Sequence, residues 1–232
     1  MSRMVSGWPP LLTCLPTPST RMALSMRRCV VTVFLLLFWL PAQAAAPVLL
    51  VWGDSLSAAY GIPVESGWVA LLQDKMRAQG FPHKVVNGSV SGETTAGGLR
   101  RLPAALDRNQ PDLVLIELGG NDGLRGLPLK RMRDNLAEMV RLSREAGAEV
   151  LVFQMMIPPN YGPQYADEFS ASFRRVAEAE GADFVPFFLR DIAADESNFL
   201  PDGIHPNERA QPLLLERVWP VVESRLARQD RS

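Results

Sequence analysis

Ser55 and His205 are the two side chains in this sequence whose chemistry points most directly to a reaction. Ser55 follows an apolar run and the dipeptide Gly53-Asp54, and a neutral serine hydroxyl needs a nearby base before it can attack a carbonyl carbon. The chain has only two histidines. His83 lies in a short linker, where we expect a solvated loop residue, so His205 is the candidate base.

Asp202 is the candidate partner of that base. It lies three residues before His205 in the segment Pro201–Pro206, and at this spacing its carboxylate can reach the imidazole, fix its tautomer and stabilise the imidazolium. An ordinary turn at Asp202 and a helix cap at His205 would explain the same residues structurally. The functional interpretation is favoured because Ser55 has no other credible base.

A serine nucleophile also needs donors for the negative oxygen that develops on the attacked carbonyl. The candidates are the backbone N–H groups of Ser55 and Gly92 and the side-chain amide of Asn121. Glycine permits close approach of the backbone to a substrate, and asparagine supplies uncharged N–H donors. A plain turn around Asn121 is the structural alternative. A phosphate-binding loop over residues 88–95 is excluded because no Gly-Lys-Ser/Thr ending is present.

Apolar runs of strand length alternate with segments of helical period after Pro47. The predicted strands are Val48–Trp52, Lys84–Val86, Asp112–Leu118, Glu149–Met155 and Asp183–Leu189. The predicted helices are Gly67–Gln79, Ala96–Leu106, Leu129–Ala146, Pro163–Glu180 and Asn207–Leu226. The pattern predicts a single three-layer α/β/α domain with a five-stranded parallel sheet.

The order of those strands decides whether the candidate residues can meet. A flavodoxin-like order, 2-1-3-4-5, places the ends of strands 1, 2 and 3 together at the point where the chain reverses direction across the sheet. Ser55, Gly92 and Asn121 each follow one of these three strands. The predicted topology therefore brings the candidate nucleophile and the candidate oxyanion donors to one edge.

Residues 1–45 differ from the rest and are interpreted as a leader. Arg27-Arg28, the apolar run Cys29–Leu40 and the small residues before Pro47 have the pattern of a secretory signal peptide over about residues 26–45, cleaved near Ala44 or Ala45. Residues 1–25 are interpreted as an over-long start. The apolar run is too short for a membrane anchor. We therefore expect residues 46–232 to form the functional domain, in the periplasm or secreted.

Charge and cysteine content restrict the partners of the exported domain. The leader holds both cysteines, four of the 24 basic residues and none of the 25 acidic ones, so its removal leaves a net charge of about −5 and no thiol. A negative net charge argues against nucleic acid and against electrostatic docking to anionic lipid. We expect a monomer without a stable membrane anchor that acts on small molecules.

Four sequence blocks together resemble a known family. Gly53-Asp54-Ser55-Leu56, Ser91-Gly92-Glu93-Thr94, Gly120-Asn121-Asp122 and Asp202–Pro206 match, in order, the blocks of the GDSL (SGNH) hydrolases. Residues 118–126 and 158–162 are similar to the bacterial periplasmic branch of multifunctional thioesterase/protease/lysophospholipases and arylesterases. The likeness spans residues 46–232.

The resemblance implies a serine esterase that needs no metal or cofactor. It implies Ser55 as nucleophile, His205 as base and Asp202 as the acid that orients it, with Ser55, Gly92 and Asn121 forming the oxyanion hole. It also implies esters and thioesters as substrates, including aryl esters, acyl thioesters and lysophospholipids. Four apolar residues near the site are predicted to contact the acyl group: Leu124, Met156, Ile157 and Pro158.

Two other functions fit the same pattern. A carbohydrate O-deacetylase is possible by resemblance to other branches of the family, although the apolar loops weigh against sugar substrates. A catalytically inactive acyl-binding protein could keep the same fold. The complete set of site residues argues against this second alternative, because drift would be expected to damage some member of the set.

Overall fold

A five-stranded parallel sheet forms the centre of the computed structural model, which describes residues 46–229. Its strand order is β2-β1-β3-β4-β5, which confirms the predicted order. The strands are β1 (Val48–Gly53), β2 (Lys84–Asn87), β3 (Leu113–Glu117), β4 (Glu149–Phe153) and β5 (Asp183–Val185). The leader predicted over residues 1–45 lies outside the described residues.

Six helices flank the sheet in the described part of the chain. They are α1 (Trp68–Ala78), α2 (Thr95–Asn109), the short α3 (Gly120–Leu124), α4 (Leu129–Glu145), α5 (Pro163–Glu180) and α6 (Gln211–Gln229). Helix α1 packs against α6, while α4 packs against α2 and α5. Right-handed crossovers between parallel strands place these two groups on opposite faces of the sheet. None of the helices in residues 46–229 is long and apolar enough to cross a membrane.

The central strands form because they are apolar on both faces. Leu49, Leu50 and Val51 of β1 are fully buried, as is nearly every side chain of β3 and β4. Such continuous runs are typical of parallel strands covered by helices on both sides. Helix α4 has the complementary pattern, because Met132 and Leu136 recur at helical spacing and face the core.

The largest differences between the predicted and the observed elements lie in three segments. The fifth strand ends at Val185, because Pro186 follows and proline cannot donate to a ladder. The last helix begins at Gln211, after a 3₁₀ turn at Glu208–Ala210. Gly120–Leu124 is a short helix where the sequence predicted a loop; Gly119 begins it at a φ of +118°.

His83 was predicted to be a solvated loop residue, and this prediction is wrong. Its side chain is only 3% exposed. Its backbone carbonyl accepts a hydrogen bond from Gln73 of α1 at 3.2 Å, so the linker before β2 is held against that helix. Burial leaves His83 as part of the packing beneath α1.

Candidate active site

The loops that follow β1, β2 and β3 contain the candidate residues, as the topology predicts. Ser55 lies in the turn after β1, Gly92 in the loop after β2, and Asn121 in the first turn of α3 after β3. His205 lies in the loop before α6.

Ser55, His205 and Asp202 form one continuous chain of hydrogen-bonding contacts. His205 Nε2 lies 2.9 Å from Ser55 Oγ, and His205 Nδ1 lies 2.7 Å from Asp202 Oδ2. A carboxylate can only accept, so Nδ1 carries the proton and Nε2 is left as the acceptor that faces the serine. The three side chains thus have the geometry of a nucleophile, its base and an orienting acid.

The short loop around Asp202 fixes that carboxylate from its own backbone. Asp202 Oδ1 accepts hydrogen bonds from the N–H groups of Ile204 and His205 at 2.9 and 3.0 Å. The N–H of Leu200 also donates to the carbonyl of His205 at 2.8 Å, which closes the loop. The hydrogen bonds from the backbone and side chain of His205, with that from Ile204, lower the pKa of Asp202 to about 2. Asp202 is therefore ionised at neutral pH.

Tyr60 is a site residue that the sequence analysis missed. Its ring lies against the His205 imidazole, with 4.3 Å between ring centroids and 39° between planes. Its N–H donates to the carbonyl of Ser55 at 3.2 Å. The aromatic residue five positions after the serine was a signal in the sequence, but only the fold places it on His205.

The candidate oxyanion donors lie on three neighbouring segments, which follow β1, β2 and β3. Gly92 adopts a φ of +76°, a conformation that favours glycine, and the N–H groups of Ser55 and Gly92 donate to no acceptor within residues 46–229. Asn121 Nδ2 donates to Asp54 Oδ2 at 3.0 Å, which fixes the amide next to the serine turn. Arg125 Nη2 donates to the Gly92 carbonyl at 2.9 Å and links the Gly92 loop to the end of α3.

Two aspartates, Asp54 and Asp122, accept hydrogen bonds that hold the segments of the candidate site together. Asp54 is only 3% exposed, and burial raises its pKa to about 6 even though hydrogen bonds from Leu56 and Asn121 act in the opposite direction. Asp122 accepts hydrogen bonds from the N–H and the hydroxyl of Thr95 at 2.8 and 2.6 Å. These contacts join the start of α2 to α3 and explain why the glycine-rich segment is a defined helix.

The four residues predicted to contact an acyl group are placed differently from one another. Met156 and Pro158 are exposed, Leu124 is half-buried, and Ile157 is buried at 7% exposure. A Cβ at Gly123 would lie 2.9 Å from Ile157 Cγ2, so Ile157 packs into the core against α3. The Tyr161 hydroxyl donates to the Leu124 carbonyl at 2.9 Å, which brings the loop after β4 to α3.

Comparisons with known proteins show which proteins this chain is similar to. The model of the GDSL-like Lipase/Acylhydrolase family matches residues 51–212. Esterase TesA of Pseudomonas aeruginosa is 49% identical over 198 residues, which cover 85% of this chain and 98% of that protein. Thioesterase 1/protease 1/lysophospholipase L1 of Escherichia coli K12 is 42% identical over 173 residues, covering 75% of this chain and 82% of that protein.

A solved structure is similar at the level of the whole domain. The psychrotrophic esterase EstA from Pseudoalteromonas sp., inhibited by monoethylphosphonate in that structure, has 45% sequence identity and a TM-score of 0.75. The match covers 78% of this chain and 98% of that one.

Proposed function

This chain belongs to the GDSL-like lipase/acylhydrolase family, and from that premise we propose that it hydrolyses carboxylic esters and thioesters through an acyl-enzyme on Ser55. The observation that carries the proposal is the contact between Ser55 Oγ and His205 Nε2 at 2.9 Å, continued by His205 Nδ1 to Asp202. The similarity to proteins named esterase and thioesterase supports the reaction class.

In the first half of the reaction His205 acts as general base. Ser55 Oγ attacks the carbonyl carbon of the substrate and transfers its proton to His205 Nε2. The imidazolium that results is stabilised by the ionised Asp202. His205 then gives the proton to the departing alcohol or thiol, and the acyl group remains on Ser55 Oγ.

In the second half a water molecule takes the place of the leaving group. His205 removes a proton from this water as it attacks the acyl carbon, and then returns a proton to Ser55 Oγ. The carbonyl oxygen becomes negative in both halves, and we assign its stabilisation to the N–H groups of Ser55 and Gly92 and to Asn121 Nδ2. This assignment is supported by the N–H groups of Ser55 and Gly92, which donate to no acceptor among residues 46–229, and by the second Nδ2 hydrogen of Asn121, which is not used by Asp54.

Exposed apolar side chains on the loops around Ser55 support acyl and aryl esters as substrates. Tyr60, Val90, Met156 and Ile204 are each between 45 and 51% exposed. Methionine adapts to chains of varied shape. We therefore propose aryl esters, acyl thioesters and lysophospholipids as the substrate class.

The leader pattern supports export of the catalytic domain. We propose that residues 1–45 are removed and that residues 46–232 act as a monomer in the periplasm or outside the cell, without a stable membrane anchor. Mass spectrometry of the mature N-terminus from the native host tests this proposal, because an uncleaved leader would contradict it.

A kinetic series tests the substrate class. We expect hydrolysis of p-nitrophenyl esters from acetate upward, of acyl thioesters and of lysophospholipids, with kcat/KM rising as the acyl chain lengthens beyond acetate. The reason is that each methylene placed on the apolar loops adds favourable burial. A profile in which acetylated sugars exceed all longer acyl esters would instead indicate the deacetylase alternative.

Replacing Asn121 with alanine tests the oxyanion assignment. We expect Asn121→Ala to lower kcat by about 10²–10³-fold, the typical cost of one lost donor, with a smaller change in KM. Asn109→Ala is the matched control, because among residues 46–229 the Asn109 side chain bonds only to the Ala105 carbonyl of α2. Wild-type kcat in Asn121→Ala would remove this residue from the oxyanion hole.

The ring of Tyr60 is expected to stabilise the imidazolium that forms on His205. Aromatic faces attract cations, so Tyr60→Leu should lower kcat by about 3- to 10-fold, whereas Tyr60→Phe keeps the ring and should retain wild-type kcat. Steady-state kinetics of the two variants decides this. Equal kcat values in Tyr60→Leu and Tyr60→Phe would contradict the role of the ring.

A further inference from the structure

Glu117 is a fully buried carboxyl group directly beneath the turn that holds Ser55. It is the last residue of β3 and pairs in register with Gly53, the last residue of β1. Its Oε2 accepts a hydrogen bond from the Ser57 hydroxyl at 2.7 Å and lies 3.4 Å from the Asp54 nitrogen. Glu117 therefore contacts the chain on both sides of Ser55.

The turn packs on this carboxyl group without spare room. A Cβ at Gly53 would lie 2.6 Å from Glu117 Oε2 and 2.8 Å from Ser57 Oγ. Because real Cβ atoms do not come this close to other atoms, glycine at position 53 is what allows the turn to sit on the carboxyl. The position of Glu117 and the path of the backbone into Ser55 are thus fixed together.

The surroundings of Glu117 disfavour a charged carboxylate. Asp54 is also buried beside it, and neither group forms a salt bridge with a basic residue in the described part of the chain. Glu117 Oε1 is buried and has no hydrogen-bond partner among residues 46–229. An unpaired charge there would be strongly disfavoured, because the group is removed from water and has no compensating partner.

Electrostatics within this cluster point in the same direction. Burial, and then the neighbouring Asp54, raise the pKa of Glu117 well above its usual value. Two other titratable groups act on this cluster through their effect on Asp54. His205 lowers the pKa of Asp54, and Asp122 raises it. Burial and the neighbouring Asp54 both favour the protonated form of the Glu117 carboxyl.

We propose that Glu117 is a positioning residue for the nucleophile: as a neutral carboxylic acid it holds Ser57 and the Asp54 N–H, and so fixes the turn that presents Ser55 Oγ to His205. The proposal deepens the proposed function and depends on it. Glu117 is fully buried, and its hydrogen bonds go to Ser57 and the Asp54 N–H, not to Ser55 Oγ. A residue that only filled the core would not require a carboxyl group at this place.

The experiment compares three single variants with wild type. Glu117→Gln keeps the shape and the accepting oxygen without a titratable proton, Glu117→Leu removes both hydrogen bonds, and Ser57→Ala removes one of them. Glu149→Gln is the control, because Glu149 is a strand carboxyl at the far end of β4 that pairs with Arg225. The readouts are kcat, KM and the rate at which a fluorophosphonate labels Ser55.

We expect Glu117→Gln to keep kcat and labelling rate within about threefold of wild type at pH 7. Glu117→Leu should lower both by about 10- to 100-fold with little change in KM, since a small misplacement of a reacting atom has costs of this size. Ser57→Ala should show a smaller loss. The double variant Ser57→Ala/Glu117→Leu should lose less than the product of the two single losses, because both remove the same contact.

A pH series of thermal unfolding tests the neutral state of Glu117. The unfolded chain releases this proton near pH 4.5, whereas the folded protein retains it, so wild-type stability falls as pH rises above that value towards the raised folded pKa. Glu117→Gln removes this loss. Its Tm relative to wild type should therefore be higher at pH 8 than at pH 5, by about 2 °C or more.

Distinct results would overturn the proposal. A folded Glu117→Leu with wild-type kcat and labelling rate would exclude a positioning role, and so would strictly multiplicative losses in the double variant. If Glu117→Leu does not fold, a wild-type labelling rate in Ser57→Ala excludes the positioning role instead. A Glu117→Gln as slow as Glu117→Leu, or a Tm difference that is constant between pH 5 and pH 8, would exclude the neutral acid. Wild type that is never labelled at Ser55 would contradict the proposed function itself.

Discussion

Ser55→Ala is expected to lower kcat/KM for a p-nitrophenyl ester by about 10⁴- to 10⁶-fold, because removal of the nucleophile leaves only binding and the oxyanion donors. The change deletes a single oxygen atom, so the fold and Tm should be nearly unchanged. Initial rates with purified protein measure the loss. Ser66→Ala is the matched control, since the Ser66 hydroxyl bonds Glu208 on the surface, and this variant should remain fully active. Full activity in Ser55→Ala would exclude the acyl-enzyme.

His205→Ala has the second largest expected effect, a loss of about 10⁴-fold or more in kcat, because both proton transfers pass through Nε2. Asp202→Asn should lose about 10- to 100-fold less than His205→Ala. The reason is that the loop from Leu200 to His205 is closed by its own backbone hydrogen bonds, which partly orient the ring without the carboxylate.

The control for His205→Ala and Asp202→Asn is a substitution of His83, the other histidine of the chain. His83 is buried beneath α1, away from the residues that we assign to catalysis. His83→Gln should keep kcat per folded molecule, with circular dichroism used to measure the folded fraction. Equal losses in His205→Ala and Asp202→Asn would contradict the partial orientation of the ring by the loop.

Hydrophobic patterning predicted the alternating strands and helices, and the choice of a flavodoxin-like strand order predicted that three loops meet. Continuous apolar runs such as Val48–Trp52, when they alternate with segments of helical period, indicate buried parallel strands. Ser55, Gly92 and Asn121 were predicted to share one edge for that reason. The spacing of Asp202 and His205 was equally informative, because one short loop has to contain both side chains.

Contacts between distant segments could not be predicted in the same way. Glu117 is an acidic residue at the carboxyl end of the otherwise apolar strand β3, and its role depends on the register that pairs it with Gly53. The burial of His83 depends on how α1 covers the linker. Ile157 turned out to lie in the core because Gly123 has no Cβ, and this lets Phe169 and Ile157 approach α3.

The role of Ser55 as nucleophile is tested most directly by peptide mapping after reaction with a fluorophosphonate ester, which stays attached to an activated serine. We expect complete inactivation with one phosphonyl group per chain, located on Ser55 by tandem mass spectrometry, and no adduct in His205→Ala on the same timescale. Complete inactivation with the adduct on another residue, or hydrolysis that continues after Ser55 is fully modified, would contradict this role.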